Sequence, residues 1–235
     1  MATEREILAD ALRDVAQTLR HHRDLGLREV TMTAAAAAAP PPDAAKALAG
    51  QEAALQGCRL CKLCESRTNI AFGSGSPRAR LMVIGEGPGE EEDKQGKPFV
   101  GRAGQLLTKM LESVGFNRER DAYIANVVKC RPERNRNPEP DEVAACNPFL
   151  MAQIDTIRPA VILALGNFAA QTLLGTREGI TKLRGRVYEY RDSVLVPTFH
   201  PAFLLRNPGP EYRRMAWDDL KLARREYDRL AVTAR

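Results

Sequence analysis

The chain has few histidines, no long apolar segment and none of the common nucleotide-binding fingerprints. Its three histidines are His21, His22 and His200. The longest apolar run, Thr33 through Pro42, is mostly alanine and proline and is too short to span a bilayer. The start, Met1-Ala2-Thr3-Glu4-Arg5-Glu6, shows neither the basic nor the apolar region of a secretory signal, so a cytoplasmic, non-membrane protein is expected. Five cysteines, an odd number, then read as ligands plus one left over rather than as a disulfide framework. A net charge of +5 permits a polyanionic partner without requiring one.

Residues 4–30 carry Ile7, Leu8, Leu12, Val15, Ala16 and Leu19 at helical spacing, which predicts an amphipathic extension over residues 1–32. Its exposed apolar face could engage a protein partner. Alanines 34–39 and Pro40-Pro41-Pro42 mark a semi-stiff linker over 33–48, and the main domain is expected over 49–235.

Within that domain, apolar strands alternate with helical patterns. Strands are expected at 80–85, 122–129, 160–165 and 194–199. Helices are expected at 103–114, 141–157 (kinked or split at Pro148), 167–174 and 211–230. The last should bury Tyr212, Met215, Leu220, Ala223 and Tyr227. Continuous apolar strands separated by helices imply an α/β fold, a three-layer α/β/α sandwich around a four-stranded parallel sheet. Ligands gather at the carboxyl ends of such strands. Gly85–Gly89, Asn126 and His200 all fall there.

Cys58-x-x-Cys61 joins Cys130 and Cys146 as a set of four thiolates, suited to tetrahedral zinc or to an iron–sulfur cluster. Spacing alone does not choose between them, and Cys61-x-x-Cys64 is a second C-x-x-C pair. The Gly85-Glu86-Gly87-Pro88-Gly89 turn is not a dinucleotide fingerprint, because Pro88 and the acidic run Glu90–Asp93 stand where a pyrophosphate-binding helix would begin. Phe99 lies in a glycine-flanked loop, where an aromatic serves either the core or recognition. Asn126 sits in an apolar strand, so its amide must be satisfied by backbone or by ligand.

Five blocks in order resemble the thermostable-type, family 4 uracil-DNA glycosylases. They are Cys58-x-x-Cys61, the turn Gly85 to Asp93, Gly96-Lys97-Pro98-Phe99-Val100-Gly101-Arg102-Ala103-Gly104, Asn126-Val127-Val128-Lys129-Cys130-Arg131-Pro132, and His200-Pro201-Ala202-Phe203-Leu204-Leu205-Arg206. The resemblance covers about residues 55–230. It implies a [4Fe–4S] cluster on Cys58, Cys61, Cys130 and Cys146, with a structural role. The family spacing to Arg67 favours Cys58 and Cys61 over Cys64.

It also implies a pocket in which Glu86, Gly87 and Pro88 meet the base, Phe99 stacks on it, Asn126 reads its edge and His200 bonds O2. Gly87 stands where the better-known uracil glycosylases carry a water-positioning aspartate. Glu86 is then the first candidate for assisting catalysis and Glu92 the second, the latter also crowding the C5 methyl of thymine. Leu204 is the expected wedge into the base stack, with Arg206 beside it, although both Leu204 and Leu205 could instead pack inward. Arg131 and Arg184, with Lys129, Arg134, Arg136, Lys182 and Arg186, are candidate phosphate contacts.

The implied function is monofunctional excision of uracil from DNA by a monomer working on the bacterial or archaeal nucleoid. A covalent-trapping relative would need a basic insertion with an extra histidine, and none lies between His22 and His200. A noncatalytic iron–sulfur DNA-binding module would not need Glu86, Asn126 and His200 together. An electron-transfer protein would expose its cluster and lack a base pocket.

Overall fold

A computed structural model describes residues 43–233. The expected extension over 1–32 and most of the linker lie outside them. The domain begins earlier than expected: helix α1 spans Ala44–Leu55 and buries Ala44 and Leu48, residues assigned above to the linker. An Ala/Leu-rich run seeds a helix as readily as it extends a linker, and burial decides between them.

The sheet has six strands: β1 (Ser74–Gly75), β2 (Leu81–Gly85), β3 (Ala122–Asn126), β4 (Val161–Leu165), β5 (Tyr188–Tyr190) and β6 (Ser193–Thr198). Their order is β1-β3-β2-β4-β6-β5. The inner four, β3-β2-β4-β6, are parallel, and short antiparallel strands β1 and β5 close the two edges. The expected parallel sheet is therefore present, with edge strands too short to leave a periodic signal.

The remaining helices are α2 (Glu90–Gln95), α3 (Arg102–Glu112), α4 (Arg118–Asp121), α5 (Pro140–Ile157), α6 (Gly166–Leu174), α7 (Ile180–Leu183), α8 (Pro201–Arg206) and α9 (Pro210–Thr233). Helix α5 opens on Glu139, whose carboxylate and that of Glu142 form a reciprocal capping box ahead of Pro140. It runs unsplit past Pro148 to Ile157. Helix α6 ends on Gly175 in a left-handed conformation.

Alternation along the strands separates two cores. Met82, Ile84, Ala125, Ile162 and Leu195 face one side, against Leu48 and Leu55 of α1, Leu150 and Ile154 of α5, and Ala169 and Leu173 of α6. Leu81, Val83, Ile124, Leu163 and Val196 face the other, against Leu107 and Leu111 of α3 and Ala223 and Leu230 of α9. This is the three-layer sandwich. Along α9 the buried positions include Ala216, Leu220 and Ala223, whereas Met215, expected inside, is 41% exposed. Ala216, not Met215, packs against Phe199 and Leu204.

The chain proceeds from β2 outward to β3, then crosses back over β2 to β4. The strand order reverses between β2 and β4, and at such a switch point the loops leaving the two carboxyl ends diverge and open a crevice. That crevice is the site.

Candidate active site

The cleft has a volume of about 560 Å³ and is lined by Glu86–Gly89 after β2, Phe99, Asn126 at the end of β3, residues 165–168 after β4, and His200 and Arg206 after β6. Five separate segments thus converge on the carboxyl edge.

Asn126 pairs in register with Gly85 on the adjacent strand. A Cβ at Gly85 would stand 2.5 Å from Asn126 Oδ1 and 2.5 Å from Phe99 Cζ. Only a glycine leaves room for the amide and the ring to meet over the end of β2. The amide itself is buried, and neither Oδ1 nor Nδ2 has a hydrogen-bond partner among the described residues. A backbone-capping role is therefore not what this asparagine performs. An unpaired buried amide costs roughly 1–3 kcal/mol, a cost that a complementary ligand would relieve.

Phe99 is buried, and its backbone adopts φ 54, the left-handed region that a bulky residue occupies at a cost on the order of 1–2 kcal/mol. Contacts on both sides hold it there. Glu92 Oε1 accepts hydrogen bonds from the amides of Val100 and Gly101, both at 2.9 Å. Arg118, from α4, donates Nη1 to Phe99 O at 2.7 Å and Nη2 to Pro98 O at 2.9 Å. Helix α3 can approach because a Cβ at Gly104 would fall only 1.9 Å from Phe99 O. Glu92, expected as a second catalytic carboxylate, lines the cleft but has one oxygen committed to this loop. Its geometry is that of an anchor.

His200 closes the opposite wall, its ring centroid 5.6 Å from that of Phe99. Its Nδ1 accepts a hydrogen bond from the Ala202 amide at 3.1 Å, so in the neutral ring the proton belongs to Nε2. Burial, and secondarily the Arg206 cation, push its pKa down to about 4. The imidazole is a neutral donor at physiological pH. Gly166, at φ 84, makes room for it, since a Cβ there would lie 2.9 Å from His200 Cβ. Glu86 is half-buried beside the turn, and burial raises its carboxyl above the usual range. Pro88 is buried and Gly87 packs on Val128.

The stretch after His200 is helical rather than a loop. Pro201 opens α8, and one turn of helix directs Leu204 inward, where it is 3% exposed and packs with Phe199 and Ala216. Leu204 therefore does not fit the wedge role expected of it. Leu205 is 38% exposed and Arg206 is also exposed.

Several candidate phosphate contacts are committed elsewhere. Arg184 pairs with the fully buried Asp219 at 2.7 Å and 2.9 Å and caps Met215 O, while Asp219 also accepts from Thr198 Oγ1 at 2.8 Å. Lys129 is fully buried, with Nζ on Asn126 O at 2.7 Å and Gln153 Oε1 at 2.6 Å. Arg136 forms a two-pronged pair with buried Glu142 at 2.8 Å and 2.6 Å. Arg131 is partly held by Asn135 at 2.9 Å. Arg134, Lys182 and Arg186 are exposed.

Cys58, Cys61, Cys130 and Cys146 line one small cavity on the α1–α5 side, and Cys64 is not among its lining residues. Arg67 donates to Cys130 Sγ at 3.4 Å and to Cys58 O at 2.7 Å, and the Lys129 amide donates to Cys146 Sγ at 3.3 Å. Burial pushes the Cys130 thiol up to about 11 and raises Cys61 and Cys146. Among the described residues, no group of three or more His, Cys, Asp or Glu side chains is arranged as a metal-ion site.

Sequence reasoning missed Arg118, Gly104 and Gly166. The closely spaced Gly101 and Gly104 at the start of α3 were the available sign that something approaches that backbone.

The fold and cleft define a doubly wound α/β protein whose site suits a flat, polar, ring-shaped ligand: an aromatic face, an unpaired amide and a neutral imidazole donor. Residues 72–221 match the model of the uracil DNA glycosylase superfamily. The type-4 uracil-DNA glycosylase of Thermotoga maritima is 50% identical over 169 residues, covering 71% of this chain and 88% of that protein. That of Sulfurisphaera tokodaii is 44% identical over 185 residues, covering 75% and 81%. A type-5 uracil-DNA glycosylase of Pyrobaculum aerophilum is more distant, at 30% over 151 residues, covering 57% and 66%. The chain belongs to the uracil-DNA glycosylase superfamily, with its high-identity relatives in type 4.

Proposed function

We propose that the protein flips deoxyuridine out of DNA and hydrolyses its N-glycosidic bond, leaving an abasic site. The observation that carries this reading is the unpaired, buried amide of Asn126 in the cleft that Phe99 and His200 also line. An amide offers an acceptor beside a donor. Uracil presents N3–H and O4 in the complementary order, whereas cytosine presents the reverse and would leave both groups unpaired. Such mismatches discriminate strongly.

In this mechanism the flipped base stacks on Phe99, worth on the order of 1–3 kcal/mol. The bond from C1′ to N1 breaks with its electron pair passing to the base. His200 Nε2–H donates to O2 as negative charge builds there, and a neutral imidazole is sufficient because it stabilises charge without transferring a proton. The Glu86 carboxylate faces the electron-poor sugar and orients water, whose oxygen bonds to C1′ as its proton passes to that carboxylate, and the released uracil anion takes up a proton at N1 from solvent. Among the described residues no lysine lines the cleft to form a Schiff base, and Lys129 is buried with its Nζ on Asn126 O and Gln153 Oε1. Strand cleavage is not part of the reaction. Leu205 and Arg206, exposed on α8, enter and grip the space left by the nucleotide.

Cys58, Cys61, Cys130 and Cys146 would hold a [4Fe–4S] cluster. Their convergence on one cavity supports this, as do the hydrogen bonds offered to two of the sulfurs. An all-cysteine set of four thiolates is the usual ligation of a [4Fe–4S] cluster. When bound it supplies a cross-link between the start of the domain, β3 and α5, since hydrolysis needs no electron. On this reading the protein works as a monomer on DNA in the cytoplasm.

The test is release of free uracil from a labelled oligonucleotide containing one uracil. Wild type should release it, and Asn126→Ala and His200→Ala should each be slowed by roughly 10²-fold or more. DNA binding without uracil release by folded wild type would overturn the reading in favour of a binding module.

A further inference from the structure

We propose that Arg118 is a positioning residue for base capture, fixing the plane of the Phe99 ring through the Phe99 backbone. The inference rests on the reading that Phe99 stacks on uracil. Arg118 is not among the residues that line the cleft. Its guanidinium instead sits behind the loop, donating to Pro98 O, Phe99 O and Thr108 Oγ1 at 2.9, 2.7 and 3.1 Å. Two consecutive carbonyls held by one planar fork fix the peptide between them, a geometry that a point charge cannot reproduce. From the other side, Glu92 takes the next two amides, those of Val100 and Gly101.

The residue between these two clamps is the one at φ 54. A phenylalanine released from the left-handed region returns to negative φ, and its ring then leaves the end of β2, where Gly85 had made space for it. Arg118 therefore acts on the site through the Phe99 loop, from outside the lining of the cleft.

The experiment compares Arg118→Met with wild type in three assays: single-turnover uracil release, inhibition by free uracil, and affinity for DNA carrying a stable abasic-site analogue. The expected result is release slowed by about tenfold or more and uracil inhibition weakened in parallel. Affinity for the abasic analogue, which has no base to stack, should stay within about twofold of wild type. In a Phe99→Ala background, Arg118→Met should add less than about twofold, because the two changes remove one interaction. Arg118→Lys, which reaches one carbonyl at a time, should fall between and serves if the methionine variant fails to fold. The proposal is overturned if the Arg118→Met loss persists in full without Phe99, if abasic-DNA affinity falls equally, or if both Arg118 variants match wild type. Wild type that releases no uracil overturns the functional reading itself, which separates the two failures.

Discussion

Nδ1 of His200 accepts a hydrogen bond from the Ala202 amide at 3.1 Å, two residues along the same chain and at the start of α8. One local contact fixes the tautomer, and burial keeps the ring neutral down to about pH 4. The sign follows from comparison with an unfolded histidine, whose ordinary value is about 6.5. As pH falls from 6.5 toward 4 the unfolded chain takes up a proton that native His200 refuses, so this residue lowers stability across that window and not above it. Catalysis has a different limit. Burial raises Glu86 above the usual carboxylate value, so its charge is lost before His200 gains one. The acid limb of the single-turnover rate should thus belong to Glu86. In Glu86→Gln the rate should drop by about 10²-fold and the remaining limb move toward pH 4. A wild-type break at 6.5 that disappears in His200→Asn would contradict this assignment.

Gly104 lies under the Phe99 carbonyl, and an added Cβ would stand 1.9 Å from that oxygen. Backbone cannot yield as a flexible side-chain tip can. Gly104→Ala is expected to push the 97–101 loop off α3, abolish uracil release and cost on the order of 1–3 kcal/mol of stability from overpacking. Thermal melts beside activity assays will check this. An active, fully stable Gly104→Ala would show that the loop has freedom the packing denies it.

The two leucines of α8 should separate cleanly. Leu204→Ala removes a buried side chain packed on Phe199 and should cost about 2–5 kcal/mol of stability. Leu205→Ala leaves the core intact. It should slow excision from duplex DNA by about tenfold and from single strands much less, since only the duplex requires a wedge to keep the stack open. Equal losses on both substrates would exclude a wedge at Leu205.

The parallel sheet and its ligand edge were legible in the sequence because continuous apolar runs such as Val161–Leu165 are fully buried on both faces. Asn126 and His200 were legible as polar residues at strand ends. What was not legible depended on burial that no local pattern encodes. Leu204 and Leu205 are adjacent and alike, and only the helix opened by Pro201 turns one inward and the other out. Arg184 and Lys129 read as basic surface residues, yet one pairs with Asp219 across 35 positions and the other bonds to Gln153 across 24. Charge in a sequence carries no sign of its partner. Strand β5, at three residues, is too short to repeat the two-residue alternation that would announce it.

Arg184 and Arg206 are expected to differ in what their loss does. Arg184→Ala leaves Asp219 buried without its cation, which should destabilise the protein by about 3–5 kcal/mol while the salt dependence of DNA binding is unchanged. Arg206→Ala should leave stability nearly intact and reduce the slope of log K against log salt by about one, the loss of a single phosphate contact. Titrations at several salt concentrations, with melting curves, distinguish the two. An Arg184→Ala variant that folds normally and shows the reduced slope would return it to the DNA-facing set.

Cys64 stands at the end of a single 3₁₀ turn that starts one residue after Cys61, close to the other thiols in sequence but outside the cavity they line. The four that do line it come from three separate segments, so a cluster bound there would cross-link the start of the domain, the segment after β3 and α5. Cys64→Ser should keep full iron content, visible absorbance and melting temperature. Cys130→Ser and Cys146→Ser should lose iron and absorbance and melt earlier, because bound metal stabilises only the folded chain. Cys130 follows Asn126 by four residues, and Cys146 accepts from the Lys129 amide while Lys129 Nζ holds Asn126 O, so on the proposed reading loss of the cluster should also loosen the segment that carries the Asn126 amide. Discrimination between uracil and cytosine in the iron-free variants would then decline along with rate. Iron retained in Cys130→Ser but lost in Cys64→Ser would reverse the assignment of the fourth ligand.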